Sequence, residues 1–131
     1  MIQYKNPNYW FLLLSALLMS SIAIVSYFMP NKIPFASEGM AIKLYRVNYS
    51  IIALMALLSN SLFIIRGYLI LTGWIMIFFV VSTWLNIPPE TILHFTKQDN
   101  ILHSNLGIIS IFIGVIYGQS HQHHKHKEES L

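Results

Sequence analysis

Residues 9–29 read YWFLLLSALLMSSIAIVSYFM (Tyr9–Met29), a run without a single charged side chain. At 1.5 Å per residue such a helix is about 31 Å long, the thickness of a hydrocarbon core. Three more windows have the same character. The second, Val47–Ile65, is bracketed by Arg46 and Arg66; the third, Tyr68–Ile87, closes at Pro88-Pro89; the fourth is Ile101–Gly118. None contains Asp, Glu, Lys or Arg. Backbone groups in lipid must be satisfied within the segment, so each window predicts a helix and not an open strand. The fold class is therefore all-α, an integral membrane four-helix bundle, with spans near 9–29, 47–65, 68–87 and 101–118. The first run is longer than the apolar core of a cleaved signal peptide, and it reads as a retained helix.

Composition supports the same reading. Charged residues are 10% of the 131-residue chain, against about 25% in average soluble domains. The net charge of +3 comes from cations that lie between apolar runs and in the tail. They form no stripe that could follow a phosphate backbone, so nucleic acid is not expected as a partner. The absence of cysteine excludes disulfide exchange and thiolate metal sites. Expected connections are about 17 residues (Pro30–Arg46), a two-residue turn at Arg66-Gly67 and about 13 residues (Pro88–Asn100). Ser37-Glu38-Gly39 before Met40 offers a start for the second helix about two turns before the uncharged window, with residues 38–46 projecting past the bilayer surface. Asp99 or Thr96 offers a cap for the fourth.

With four spans the termini share a side with Arg66. Lys5, Arg66, Lys125 and Lys127 face Lys32, Lys43, Arg46 and Lys97 in the positive-inside count, which is a tie. The amino terminus and the tail favour cytoplasmic termini in an inner membrane. Tyr9, Trp10, Tyr27, Phe28, Tyr68 and Trp84 lie near span ends, as an aromatic belt requires.

Small residues recur at helical spacing. The fourth span carries His103, Gly107, Ser110, Gly114 and Gly118; the second carries Tyr49, Ala53, Ala56 and Asn60; the first carries Ala16, Ser20 and Ala23. In lipid such stripes let backbones approach closely. They predict an internal bundle seam or, alternatively, a face for a homodimer or a larger membrane complex. Asn48 and Asn60 are expected to hydrogen-bond across the bundle.

Little chemistry is visible. His103 has no facing imidazole for haem ligation, and no nucleophile elbow, zinc-protease or phosphate-loop motif is present. Glu90 is read as the first-turn acid of a short interfacial helix, with Ile92, Leu93 and Phe95 dipping into the headgroups. The tail is His121-Gln122-His123-His124-Lys125-His126-Lys127. It is read as a disordered segment, 119–131, that touches anionic lipid. Its alternative role is to bind copper, nickel or zinc through His121, His123, His124 and His126. No resident cofactor is expected. The chain thus reads as a non-enzymatic accessory or interaction subunit of a membrane assembly. The alternatives are metal handling by the tail, or binding of a small molecule or lipid through His103, Asn48 and Arg46, with Asn60 as a further candidate.

The segment Asp99-Asn100-Ile101-Leu102-His103-Ser104-Asn105-Leu106-Gly107, followed by an apolar run through Gly114 and Gly118, resembles the C-terminal signature of a bacterial family. These are small four-span membrane proteins of unknown function whose last helix opens with Asp-Asn-x-Leu-His-x-x-x-Gly. The resemblance implies two helix pairs, each second helix opening with Asn-x-x-His, hence a duplicated unit. Here the first pair has Asn48-Tyr49-Ser50-Ile51, with Ile51 in place of the histidine and Met55 in place of the glycine.

Overall fold

The computed structural model describes residues 5–29 and 39–129, with side chains of the last helix described through Tyr117. Helix α1 spans Pro7–Phe28, α2 Met40–Leu58, α3 Leu62–Leu85, the one-turn α4 Glu90–Leu93 and α5 Lys97–Glu129. Four of these, α1, α2, α3 and Lys97–Tyr117 of α5, are long and apolar enough to cross a membrane. Only about a third of each span is buried inside the protein. The outward remainder is apolar, with Phe63 84%, Trp84 83% and Phe28 75% exposed. An apolar exterior of this extent needs lipid as its solvent.

The bundle is built from two helix hairpins. α1 packs chiefly on α2, and α3 packs on α5 more extensively than any other pair. Leu12, Ala16, Met19, Tyr49, Ala53, Ala56, Leu57, Ile65, Leu69 and Met76 form the central core. Buried serine hydroxyls bond to carbonyls of their own helix. Ser15 Oγ donates to Leu12 O, and Ser26 and Ser82 donate to carbonyls three residues back. Hydrogen bonds also cross between helices, beginning with Ser15 Oγ and Tyr49 Oη, 3.0 Å apart across α1–α2. Ser50 Oγ donates to Ala16 O across α1–α2, and Tyr68 Oη donates to Tyr49 O across α2–α3 at 2.8 Å.

The α3–α5 seam is set by glycine. A Cβ on Gly73 would lie 2.8 Å from Gly107 O, and one on Gly107 would lie 2.9 Å from Gly73 O. Neither backbone can retreat cheaply, so this crossing requires both glycines. Gly114 sits under Ile70, and Ser110 is buried beside it. Arg66 Nε donates to Gly114 O at 3.0 Å, closing the termini end of the seam.

Several boundaries differ from the sequence reading. The turn between the second and third spans is Ser59–Ser61 and not Arg66-Gly67, which lie inside α3. Asn60 has φ 55°, a left-handed conformation that asparagine tolerates, and Ser59 Oγ bonds Ala56 O and receives Ser61 N. Asn60 is therefore an exposed turn residue and not a cross-bundle amide. Asn48 likewise faces outward. Tyr68 points into the bundle and not into an interfacial belt, because its hydroxyl finds Tyr49 O. The predicted disordered tail is helical in backbone through Glu129. Ser37 and Glu38, expected to start α2, lie outside the described residues; the observed N-cap is Gly39.

Candidate functional site: a buried polar node at the loop end

α1 and α3 end, and α2 and α5 begin, at one end of the bundle, where the 86–96 connection also lies. α3 stops at Asn86, which turns left-handed at φ 53° before Pro88-Pro89. After α4, His94 turns the chain again at φ 51°. Glu90 holds this connection: its Oε2 accepts from Thr83 Oγ1 at 3.0 Å and from Phe95 N at 3.1 Å. It thus acts as a loop clamp in addition to being the first-turn acid of α4. The clamp swings Phe95 inward. Phe95 is 8% exposed and packs with Phe79 and Ile42, so it does not dip into the headgroups as expected.

α5 then starts on a reciprocal cap. Asp99 N donates to Thr96 Oγ1 at 3.2 Å, while Asp99 Oδ2 accepts from Thr96 N at 3.0 Å and Thr96 Oγ1 at 2.9 Å. Both expected cap residues are used together, the logic of a capping box. The other carboxylate oxygen, Oδ1, takes Nη2 of Arg46 from α2. Both side chains of this ion pair are 0% exposed. Removing two charges from water costs several kcal/mol per ion, which only good geometry and further hydrogen bonds offset.

His103 lies one helical turn beyond Asp99 on the same face of α5. It is 0% exposed and ringed by aromatics: Phe95 at 5.4 Å, Phe79 at 5.7 Å and Tyr45 at 6.1 Å between ring centroids. The hydrogen-bond accounting does not close here. Arg46 Nε and Nη1, both His103 ring nitrogens and Tyr45 Oη are buried and have no partner. Buried polar atoms in folded proteins are almost always paired with protein, water or a ligand. The unmet atoms are mostly donors: a guanidinium only donates, a neutral imidazole donates once, and a phenol can donate once.

Of the residues expected to bind a ligand, Arg46 and His103 join this node, whereas Asn48 faces lipid. Of the expected packing residues, Gly107, Ser110, Gly114, Ala53 and Ala56 are buried in seams inside the chain. Side-chain surroundings of Gly118 and of His121, His123, His124 and His126 lie outside the described residues. Among the described residues no group of three His, Asp or Glu is placed to hold a metal ion. Tyr45 and Phe79 are not singled out by the sequence, and Phe95 is expected at the headgroups rather than in this cage. Asp99, read as a cap, proves also to be a pairing partner. Its spacing carried a signal: Asp99, His103 and Gly107 fall four apart, one inward face of α5 whose members pair Arg46, fill the aromatic cage and meet Gly73. Comparison with protein-family profiles, curated proteins and solved structures finds no match to this chain.

Proposed function

We propose that this chain is a non-enzymatic integral membrane protein that receives a small neutral, oxygen-bearing molecule at the Arg46–Asp99–His103 node. The single observation behind it is the set of unpaired buried donors on Arg46, Tyr45 and His103. Ionisable groups inside a membrane bundle are costly and characteristically functional. Arg46 already has its countercharge in Asp99. A second anion would add an uncompensated buried charge, so a carbonyl or similar acceptor suits these donors better than a carboxylate or phosphate. Aromatic walls on three sides of His103 favour an apolar body behind that oxygen. The non-enzymatic reading is supported by the carboxylates: Asp99 uses both oxygens, and Glu90 Oε2 is engaged by the loop.

An accessory role through the small-residue stripe has less support. Gly107, Ser110 and Gly114 are occupied by α3, which leaves association to the lipid-facing flanks. Membership in the four-span family named above draws support from the inward placement of its Asp, His and Gly positions. The ion pair also bears on sidedness. With Arg46 neutralised inside the bundle, Lys32, Lys43 and Lys97 stand against Lys5, Arg66, Lys125 and Lys127, which supports cytoplasmic termini in an inner membrane.

The test uses carbonyl-labelled acetophenone and the protein in detergent micelles. Infrared spectra should show a saturable, down-shifted C=O stretch from hydrogen bonding, weakened several-fold by Tyr45→Phe, and no saturable signal from acetate. A carbonyl band identical to that in empty micelles would refute the assignment. Sidedness is read separately from single cysteines placed in this cysteine-free chain at Lys5 and Lys97. A membrane-impermeant maleimide should label the Lys97 position in intact cells and the Lys5 position only after lysis.

A further inference from the structure

A second feature lies on the opposite, lipid-facing flank of the same helix end. Residues of α3 and α5 line a cleft of about 500 Å³ there, within the range of small-molecule sites. Lys97 and Asn100 stand at its mouth; Trp84, Val81, Ile101 and Ile108 wall it below. Lys97 is exposed, and among the described residues it pairs with no carboxylate. The side-chain oxygen of Asn100 lies 3.1 Å from Thr83 Oγ1 and shares that hydroxyl's one proton with Glu90 Oε2, and the Asn100 NH2 group remains to donate elsewhere. The polar groups at the outer end are therefore cationic or donating, and Ser104, deeper in the lining, gives its hydroxyl to Ile101 O. From Lys97 to Ile108 α5 descends about 16 Å, close to half of a hydrocarbon core of about 30 Å. Trp84, 83% exposed, marks the interfacial level.

We propose that this cleft binds one anionic phospholipid, its phosphate on Lys97 and Asn100 and one acyl chain lying along Ile101 and Ile108. A soluble anion would match the mouth but leave the apolar walls uncovered. A second copy of the chain would cover the walls but bring no countercharge for Lys97 unless it presented an acid there. The lipid satisfies both ends in the order in which the cleft presents them. This proposal is independent of the ligand at the polar node.

The experiment makes Trp84 the reporter. Trp10→Phe and Trp74→Phe remove the other two tryptophans, and Lys97→Gln and Lys43→Gln are made on that background; Lys43 lies in the α1–α2 groove. Fluorescence is quenched by acyl-brominated phosphatidylglycerol or phosphatidylcholine, each titrated into otherwise non-brominated bilayers. Phosphatidylglycerol should quench Trp84 at about fivefold lower mole fraction, the factor that about 1 kcal/mol per lysine provides at a membrane surface. Lys97→Gln should abolish that preference and Lys43→Gln should leave it intact. Equal quenching by the two lipids would overturn the proposal, as would a Trp84 that neither lipid reaches. Persistence of the preference in Lys97→Gln would do the same.

Discussion

Asp99→Asn and Arg46→Met should each damage the bundle far more than the two together. In Asp99→Asn the guanidinium of Arg46 stays in a 0%-exposed site with no countercharge. Asn can still accept from Thr96 N, so the cap is retained and the loss reports on the pair. Breaking a buried ion pair in this way costs about 3–5 kcal/mol. Arg46→Met strands the carboxylate, but its Oδ2 keeps two donors from Thr96, placing the cost near about 3 kcal/mol. The double variant buries no unpaired charge and fills the space of the stem, so it should lie within about 2 kcal/mol of the parent. The coupling is then at least about 4 kcal/mol, roughly a thousandfold change in equilibrium constant. Reversible unfolding in mixed dodecyl maltoside and dodecyl sulfate micelles, followed by circular dichroism, measures all three. Single costs that simply add, to within about 0.5 kcal/mol, would refute the claim that these charges stabilise one another.

Four further expectations concern packing, a turn and a hydrogen bond, all read from the same unfolding assay. Gly107→Ala should cost about 1–3 kcal/mol, because its Cβ meets the carbonyl of Gly73 at 2.9 Å. Gly67→Ala meets nothing within 4 Å and should stabilise α3 by about 0.5–1 kcal/mol; a loss there would mean that Gly67 has a role the fold does not reveal. Asn60→Val should cost about 1–2 kcal/mol at its left-handed φ of 55°, while Asn60→Gly should be near neutral. Tyr68→Phe should lose about 0.6–1.7 kcal/mol with the bond to Tyr49 O.

The four crossings were legible because lipid imposes a rule that composition alone can satisfy: uncharged runs of sufficient length must be helices. The same rule misled at the C-terminal end of α2 and over the direction of Arg46 near its start. Treating charge as a boundary made Arg66 a turn marker, although a long side chain at a helix end can curl back to a carbonyl, as Arg66 does to Gly114 O. The real signal was chemical: Ser59-Asn60-Ser61 offers turn-forming side chains and a residue that tolerates positive φ. At the other end the inward stripe of Tyr49, Ala53 and Ala56 continues back one turn to Arg46 and two to Ile42, which places the arginine inside. Its partner could not be read from local pattern, since 53 positions separate Arg46 from Asp99. The aromatic cage was hidden for a similar reason. Phe95 is turned inward by hydrogen bonds from a loop whose geometry depends on Glu90, Asn86 and His94 acting together. Gly73 lay unnoticed in a hydrophobic run because its necessity exists only opposite Gly107.

The placement of the ion pair on two different hairpins sets an order for biogenesis. Arg46 belongs to the first hairpin and Asp99 to the second, so the guanidinium leaves the ribosome well before its counterion exists. At about 5–20 residues per second, the wait is roughly 3–10 s. During that interval Arg46 must keep its head at the water interface, and the first hairpin must remain shallow on that side. Arrival of Asp99 gives the arginine a partner at depth, so neutralisation, rather than apolar burial alone, draws the two halves into their final depth in the bilayer.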